Sequence, residues 1–189
     1  MLPVMAGELD DRELMSRYRD GDVTAFETLY ARHKGPLYRY YLRQGLNDAI
    51  AAELFQDVWA KIIKARQRYR PTAKFSTYMY SVAHNCLVDH FRRCGRSVDA
   101  FDEGVVTVQE LPGDDCDGPQ SQAISLESRE RFRAALEALP DEQREAFVLR
   151  EETGLGLADI AAVTHVSPET AKSRLRYAVR KLRSMLADE

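Results

Sequence analysis

The stretch Leu157-Ala158-Asp159-Ile160-Ala161-Ala162-Val163-Thr164-His165-Val166-Ser167-Pro168-Glu169-Thr170-Ala171-Lys172-Ser173-Arg174-Leu175-Arg176-Tyr177 reads as two short helices around a tight turn. Leu157 to Val163 forms the first helix, with Ala161 small enough to let a second helix approach closely. Val166 closes the turn as an apolar plug. Ser167 is suited to cap the second helix, Pro168 to its first position and Glu169 to its first turn. The capping box is incomplete, because Thr170 stands where Glu or Gln would return the hydrogen bond. Ala171, Leu175, Ala178 and Leu182 recur at helical spacing and are expected to face inward. Thr170, Lys172, Ser173, Arg174, Arg176 and Tyr177 are left on the outer face. A helix-turn-helix offers such a face to the major groove, where lysine or arginine pairs with guanine. Basic residues further along the helix, Arg180 and Lys181, suit phosphates.

Charge segregation extends this reading outward. The chain of 189 residues has a net charge of −3, which by itself argues against a nucleic-acid partner. The distribution reverses that conclusion. Lys61 to Arg96 holds nine basic residues and one acid, Asp89. Pro168 to Ser184 holds six basic residues and one acid, Glu169. Between the two blocks, Ser97 to Ser128 carries eight acids and no base. Charge in blocks marks binding surfaces and solvated connections better than the total does.

The fold class expected is all-α: two small helical domains joined by an acidic flexible linker, the C-terminal one a helix-turn-helix. Residues 10–96 make the first domain, 97–125 the linker and 126–186 the second domain. Leu14, Tyr18, Phe26, Leu29 and Tyr30 recur at helical spacing, with Asp22 or Thr24 as a cap. A helix is predicted from Asp48 to Arg68 on the apolar positions Leu54, Phe55, Val58, Trp59, Ile62 and Ile63. Pro71 ends it, since the residue before proline disfavours helix. Another runs from about Ser76 to Arg93, with Gly95 as its stop. The linker is rich in Gly, Pro and acids and buries too little apolar surface to order itself; Val105-Val106-Thr107-Val108 is its one apolar run. In the second domain, Leu126, Phe132, Leu136 and Leu139 make one amphipathic helix, and Phe147 and Leu149 are expected in the core of the next.

The helix of the first basic block interleaves aromatic and basic side chains. Phe75, Tyr78, Tyr80 and Phe91 alternate with Lys74, Arg92 and Arg93. Aromatic faces stack on unpaired bases while cations hold the backbone, a combination suited to single-stranded nucleic acid. Asn85 adds a paired donor and acceptor for a base edge taken out of the stack. The competing reading makes some of these aromatics core.

With both blocks in view, the chain resembles an extracytoplasmic-function (ECF) sigma factor of the sigma-70 superfamily, with regions 2 and 4. The resemblance rests on ELMSRYRDGDVTAFETLYARH, LFQDVWAKIIKAR, FSTYMYSVAHNCLVDHFRR and ALPDEQREAFVLREETGLGLADIAAVTHVSPETAKSRLRYAVRKLR, in that order. It implies an alternative sigma factor that directs bacterial RNA polymerase to promoters. Glu53, Gln56, Asp57 and Trp59 would dock on the clamp coiled coil of the polymerase's largest subunit. Lys74, Phe75, Tyr78, Asn85, Arg92 and Arg93 would capture the −10 element. Thr170, Lys172, Ser173, Arg174, Arg176 and Tyr177 would read the −35 element. Implied partners are core polymerase, including the flap of its second-largest subunit, promoter DNA, and an anti-sigma factor or activating kinase.

Two departures from the family pattern stand out. The acidic cluster Asp-Ala-Glu-Asp usual before the Leu-x-Gln stretch is here Ile50-Ala51-Ala52-Glu53. Loss of charge complementarity predicts weak intrinsic docking on polymerase, which added negative charge or an activating partner would restore. No serine or threonine lies between Thr28 and Thr72 to supply that charge by phosphorylation. In the melting helix, Tyr78 replaces the usual tryptophan and retains a ring that stacks.

Other chemistries are set aside. Cys86, His90 and Cys94 span two helical turns, about 12 Å at 1.5 Å per residue, too far to share one metal. Cys86 reads as buried and Cys94 as a surface thiol beside Arg92, Arg93 and Arg96, whose charge would favour thiolate. No phosphate loop, paired-acid motif or nucleophile–histidine signature suggests an enzyme, and no cofactor is expected. The start of the sequence does not read as a signal peptide, and no apolar run approaches 18 residues, so a cytoplasmic protein without membrane insertion is expected. A regulator with a sensor or dimerisation domain and a helix-turn-helix is the alternative, distinguished by duplex binding without polymerase.

Overall fold

Asp22 begins the longest helix of the protein. In the computed structural model, which describes residues 9–95 and 125–187, its carboxylate accepts hydrogen bonds from the backbone N–H of Thr24 and Ala25. The hydroxyl of Thr24 also donates to it, at 2.6 Å, and this bond holds the carboxyl below the ordinary aspartate range. Asp22 is therefore the cap, and Thr24 lies inside the helix.

Eight α-helices are formed among the described residues, and no strand. They are α1 (Asp11–Arg19), α2 (Val23–Arg43), α3 (Asp48–Ala65), α4 (Phe75–Arg93), α5 (Ser125–Glu137), α6 (Asp141–Thr153), α7 (Leu157–Thr164) and α8 (Pro168–Ala187). The helix expected to reach Arg68 stops at Ala65 and tightens into a 3-10 turn over Arg66–Arg68. Asn47 caps α3 by accepting from the N–H of Ile50 at 2.9 Å. Gly95 follows α4 at φ +68°, a left-handed conformation that glycine adopts without a Cβ clash. The linker residues 96–124, with Val105–Val108 and Cys116, lie outside the described residues.

The first four helices enclose one core. Leu14 and Met15 of α1, Leu29, Leu37, Tyr40 and Tyr41 of α2, Leu54, Val58 and Ile62 of α3, and Met79, Ala83 and Leu87 of α4 are all buried. Each large apolar side chain removed from water contributes about 1.5–3 kcal/mol. A second cluster joins Leu136 and Leu139 to Ala178 and Leu182 of α8, with Phe132, Phe147 and Met185 partly buried against it. Phe147 and Leu175, both expected inside, are only half-buried. Phe147 borders the second cluster, its ring centre 6.3 Å from that of Phe132.

The expected second helical unit is present, and it leans on the first. Ala146, Val148 and Leu149 of α6, Ile160, Ala161 and Val163 of α7, and Ala171 of α8 join the core of the first four helices. Helix α6 packs on α2, and α7 packs on α4. Periodicity shows that α6 and α7 each carry an apolar face but not which helices that face meets.

Candidate nucleic-acid interface

The helix-turn-helix is built as its residue types dictate. Helix α7 ends at Thr164, and His165 turns the chain at φ +56°. A left-handed non-glycine residue is uncommon, and glycine is the residue expected there. The N–H of Val166 donates back to the Ala161 carbonyl at 3.1 Å. Ser167 Oγ accepts from the N–H of Thr170 at 3.1 Å, satisfying one of the free donors at the start of α8. The Thr170 hydroxyl lies 2.9 Å from the same Oγ, so Thr170 is part of the cap as well as of the outer face.

Along α8, Lys172 is exposed, while Ser173, Arg174, Arg176 and Tyr177 are half-buried. The guanidinium groups of Arg176 and Arg180 each lie 5.2 Å from the Tyr177 ring centre, one before it and one after it along the helix. Such cation–ring contacts orient the cations and the ring together. Tyr177 also lines a cleft with Pro140, Gln143, Arg180, Lys181 and Ser184, beside α6.

Helix α4 divides its aromatic and basic residues sharply. Phe75 is 1% exposed, with its ring 5.3 Å from that of His33, and Tyr80 and Phe91 are also buried. Phe75 is therefore a core residue and does not present a stacking face, contrary to the expectation. A helix whose interleaved aromatics also close a bundle cannot put every ring outside. Tyr78 is half-buried, 5.4 Å from the Tyr69 ring. Lys74, Asn85, Arg92 and Arg93 are exposed.

The residues expected to dock on polymerase divide in the same way. Glu53 and Gln56 are exposed on α3, and Asp57 is half-buried. Asp57 lines a cleft with Lys61, Cys86, Asp89, Arg92 and Arg93, bringing α3 and the end of α4 together. Lys61 Nζ lies 3.1 Å from the Sγ of buried Cys86. Cys94 is exposed, and no group of three metal-ligating side chains is assembled among the described residues. Trp59 is 5% exposed, inside an aromatic cluster with Phe26, Tyr30 and Phe55 at centroid distances of 5.7, 5.0 and 6.3 Å. It belongs to the core rather than to an outer docking face, because a large ring at that helical position completes the α2–α3 contact. In the acid-poor stretch, Ala51 is buried and Ile50 packs on the core, leaving Ala49 exposed and Ala52 half-exposed.

A polar network missed in the sequence joins the two units beside Asn85. The Tyr40 hydroxyl donates to Glu145 Oε1 at 2.6 Å, and His84 Nδ1 lies 2.8 Å from the same oxygen. Burial, and then Glu145, push the Tyr40 hydroxyl well above the ordinary tyrosine range, so it remains a neutral donor. Asp159 accepts from Thr77 Oγ1 at 3.0 Å and from Lys74 Nζ at 3.2 Å. His165 Nε2 lies 3.4 Å from Asn85 Oδ1. Arg39 and Arg43 of α2 pair with Glu152 of α6. Nothing in the sequence sets Glu145 apart from the other acids of α6, whereas Asp159 is the one acid among the apolar residues of α7.

Comparison with known proteins places this architecture. The sigma-70 region 2 family matches residues 29–97, and the sigma-70 region 4 family matches residues 129–182. The chain is 34% identical over 176 residues to the RNA polymerase sigma factor CarQ of Myxococcus xanthus, covering 92% of this chain and 96% of that protein. The chain belongs to the ECF sigma factors. This sigma factor is also 26% identical to the sigma-H factor of Pseudomonas aeruginosa, over 90% of its own length and 91% of that protein's. Two solved structures share its fold. One is CnrH in complex with the cytosolic domain of CnrY, with a TM-score of 0.69 at 23% identity, covering 95% of this chain and 99% of that one. The other is RpoE in complex with the anti-sigma factor NepR from Bartonella quintana, with a TM-score of 0.66 at 22% identity, covering 87% and 98%. As a sigma factor the protein acts in transcription initiation, binds RNA polymerase and DNA, and is not an enzyme. No described helix is long and apolar enough to cross a membrane.

Proposed function

We propose that this sigma factor directs core polymerase to its promoters through three separate surfaces. The observation that carries the reading is the separation of two basic faces on two helical units. One face holds Lys74, Asn85, Arg92 and Arg93 on or beside α4, and the other holds Lys172, Arg174 and Arg176 on α8. In this reading the first face captures and opens the −10 element. Tyr78 supplies a ring for stacking, and Asn85 reads a flipped base. The second face reads the −35 duplex, with Lys172 best placed to reach a base edge because it is exposed near the start of the recognition helix. Lys172→Ala should weaken binding to −35 duplex and leave opening at −10 intact in complexes that form. Asn85→Ala should do the opposite.

The third surface is α3, with Glu53, Gln56 and Asp57 facing the clamp coiled coil of the polymerase's largest subunit; the C-terminal unit meets the flap of the second-largest subunit. Charge is depleted where α3 begins, so docking is intrinsically weak and is strengthened by an activating partner. The packing of Ile50 moves the test of this idea to its neighbours. Ala49→Glu with Ala52→Glu adds two acids without opening the core. Its affinity for core polymerase, measured by titration, should rise about thirtyfold or more, since two close complementary charges at an interface, at about 1 kcal/mol or more each, together contribute about 2 kcal/mol or more. Equal affinity would sink the idea. Likeness to a structure solved with an anti-sigma factor supports such a factor as the regulatory partner, acting in the cytoplasm.

A further inference from the structure

Pro140 and Gln143, where α6 begins, face Tyr177, Arg180, Lys181 and Ser184 of α8 across a cleft of about 460 Å³. That volume lies within the range of small-molecule sites. Its charge has one sign: Arg180 and Lys181 line it, and no acid is among its described lining residues. The cleft between α3 and α4 differs, with Asp57 and Asp89 set against Lys61, Arg92 and Arg93.

Hydrogen-bond donors converge on this space from both helices. Gln143 is 6% exposed, and among the described residues nothing hydrogen-bonds its side-chain amide. Its remaining exposure opens on the cleft that it lines. A buried amide without a partner costs stability, and an occupant that accepts its N–H makes the missing bond. The first turn of α6 adds backbone donors. Arg144 is the first residue whose N–H bonds back, to the Pro140 carbonyl at 2.9 Å, and Pro140 offers no side-chain cap to the N–H groups before it. Those groups and the positive end of the helix dipole attract an anion. The acids of that turn, Asp141 and Glu142, are not among the lining residues, and Asp141 is paired with Arg144. On the α8 side, Lys181 Nζ donates to the Ala138 carbonyl at 3.0 Å, and the Arg180 guanidinium lies 5.2 Å from the Tyr177 ring centre. Each cation is thereby held beside the cleft.

Depth decides the class of occupant. A phosphate of duplex DNA stays at the surface, where Arg180 is exposed. An amide more than nine-tenths buried is reached only by a molecule small enough to enter.

We propose that this cleft binds a small phosphorylated molecule, its phosphate held by the Gln143 amide, the α6 N-terminus, Arg180 and Lys181. Tyr177 belongs both to the cleft and to the residues assigned to the −35 duplex, so a bound phosphate competes with duplex DNA. The competition rests on the −35 assignment; the site itself does not.

Calorimetric titration of the full chain with sodium pyrophosphate, in magnesium-free buffer at fixed ionic strength, tests the site. Saturable binding of one equivalent is expected. Gln143→Leu, which keeps the size of the side chain, and Arg180→Gln should each weaken it about tenfold, as loss of a hydrogen bond to a charged group does. Arg183→Gln, at an exposed position of α8 outside the cleft, should leave it unchanged. Thermal unfolding checks the fold of Gln143→Leu; if that variant does not fold, Arg180→Gln at the surface carries the test. Absence of saturable binding overturns the site, as does equal weakening by Arg183→Gln, the mark of diffuse attraction to a basic helix. Saturation by a polyglutamate peptide but not by pyrophosphate overturns the small-molecule reading in favour of an acidic protein segment. Pyrophosphate should also weaken duplex DNA binding at least about fivefold in the wild type but not in Gln143→Leu, since the coupling of two ligands is reciprocal. Bound pyrophosphate with unchanged duplex affinity overturns the competition. Unaltered duplex affinity in Lys172→Ala overturns the −35 assignment and the competition with it, but not the site.

Discussion

Asn85→Ala is expected to cut promoter opening by about five- to 150-fold while leaving polymerase binding unchanged, the range that about 1–3 kcal/mol for a paired side-chain contact to one base gives. The side chain is exposed on α4, and among the described residues its hydrogen-bond contact is with His165 across the unit boundary. Surface substitutions of this kind usually change stability by no more than about 0.5 kcal/mol, so a large loss of opening reports lost base contact rather than misfolding. Permanganate reactivity of unpaired thymines measures opening, and comigration with core polymerase measures binding. Undiminished permanganate reactivity would remove Asn85 from the −10 face.

Trp59→Ala has the other large expected effect, and it is on stability. The ring is enclosed by Phe26, Tyr30 and Phe55 and nearly inaccessible. Truncating a buried tryptophan costs about 3–5 kcal/mol through lost transfer energy and the cavity left behind. Against a typical total of about 5–15 kcal/mol, that is a large fraction. Urea unfolding followed by circular dichroism should show the loss, since Trp59 is the only tryptophan and its fluorescence disappears with it. Trp59→Phe should recover much of the stability and bind polymerase normally. A stable Trp59→Ala that no longer binds polymerase would return this residue to the docking face.

The two large effects mark what could be read in the sequence and what could not. The helix-turn-helix was legible because its signals are local: Ser167 and Pro168 at a helix start, Val166 in the turn, apolar spacing on either side. Asn85 was legible as an exposed polar residue on a helix with apolar faces. Trp59 and Phe75 were not, because an aromatic at helical spacing suits a core and a stacking surface equally, and only the packing of α2 on α3 and of His33 on Phe75 separates the two. His165 was hidden for a different reason. A left-handed turn is announced by glycine, and here a histidine holds φ +56°. The contact between the two units was the least legible feature. Tyr40 and Glu145 are 105 positions apart, and Thr77 and Asp159 are 82 apart. Periodicity gives the direction in which a face points, not its partner, so two units separated by an acidic stretch read as independent.

Runoff transcription with purified core polymerase tests the central claim most directly. On genomic fragments from the source organism, core polymerase with this protein should give discrete promoter-dependent transcripts, and neither component alone should. Asn85→Ala and Lys172→Ala should each lower those transcripts, the first at opening and the second at duplex binding. Sequence-specific duplex binding without polymerase, together with no transcript in its presence, would contradict the account.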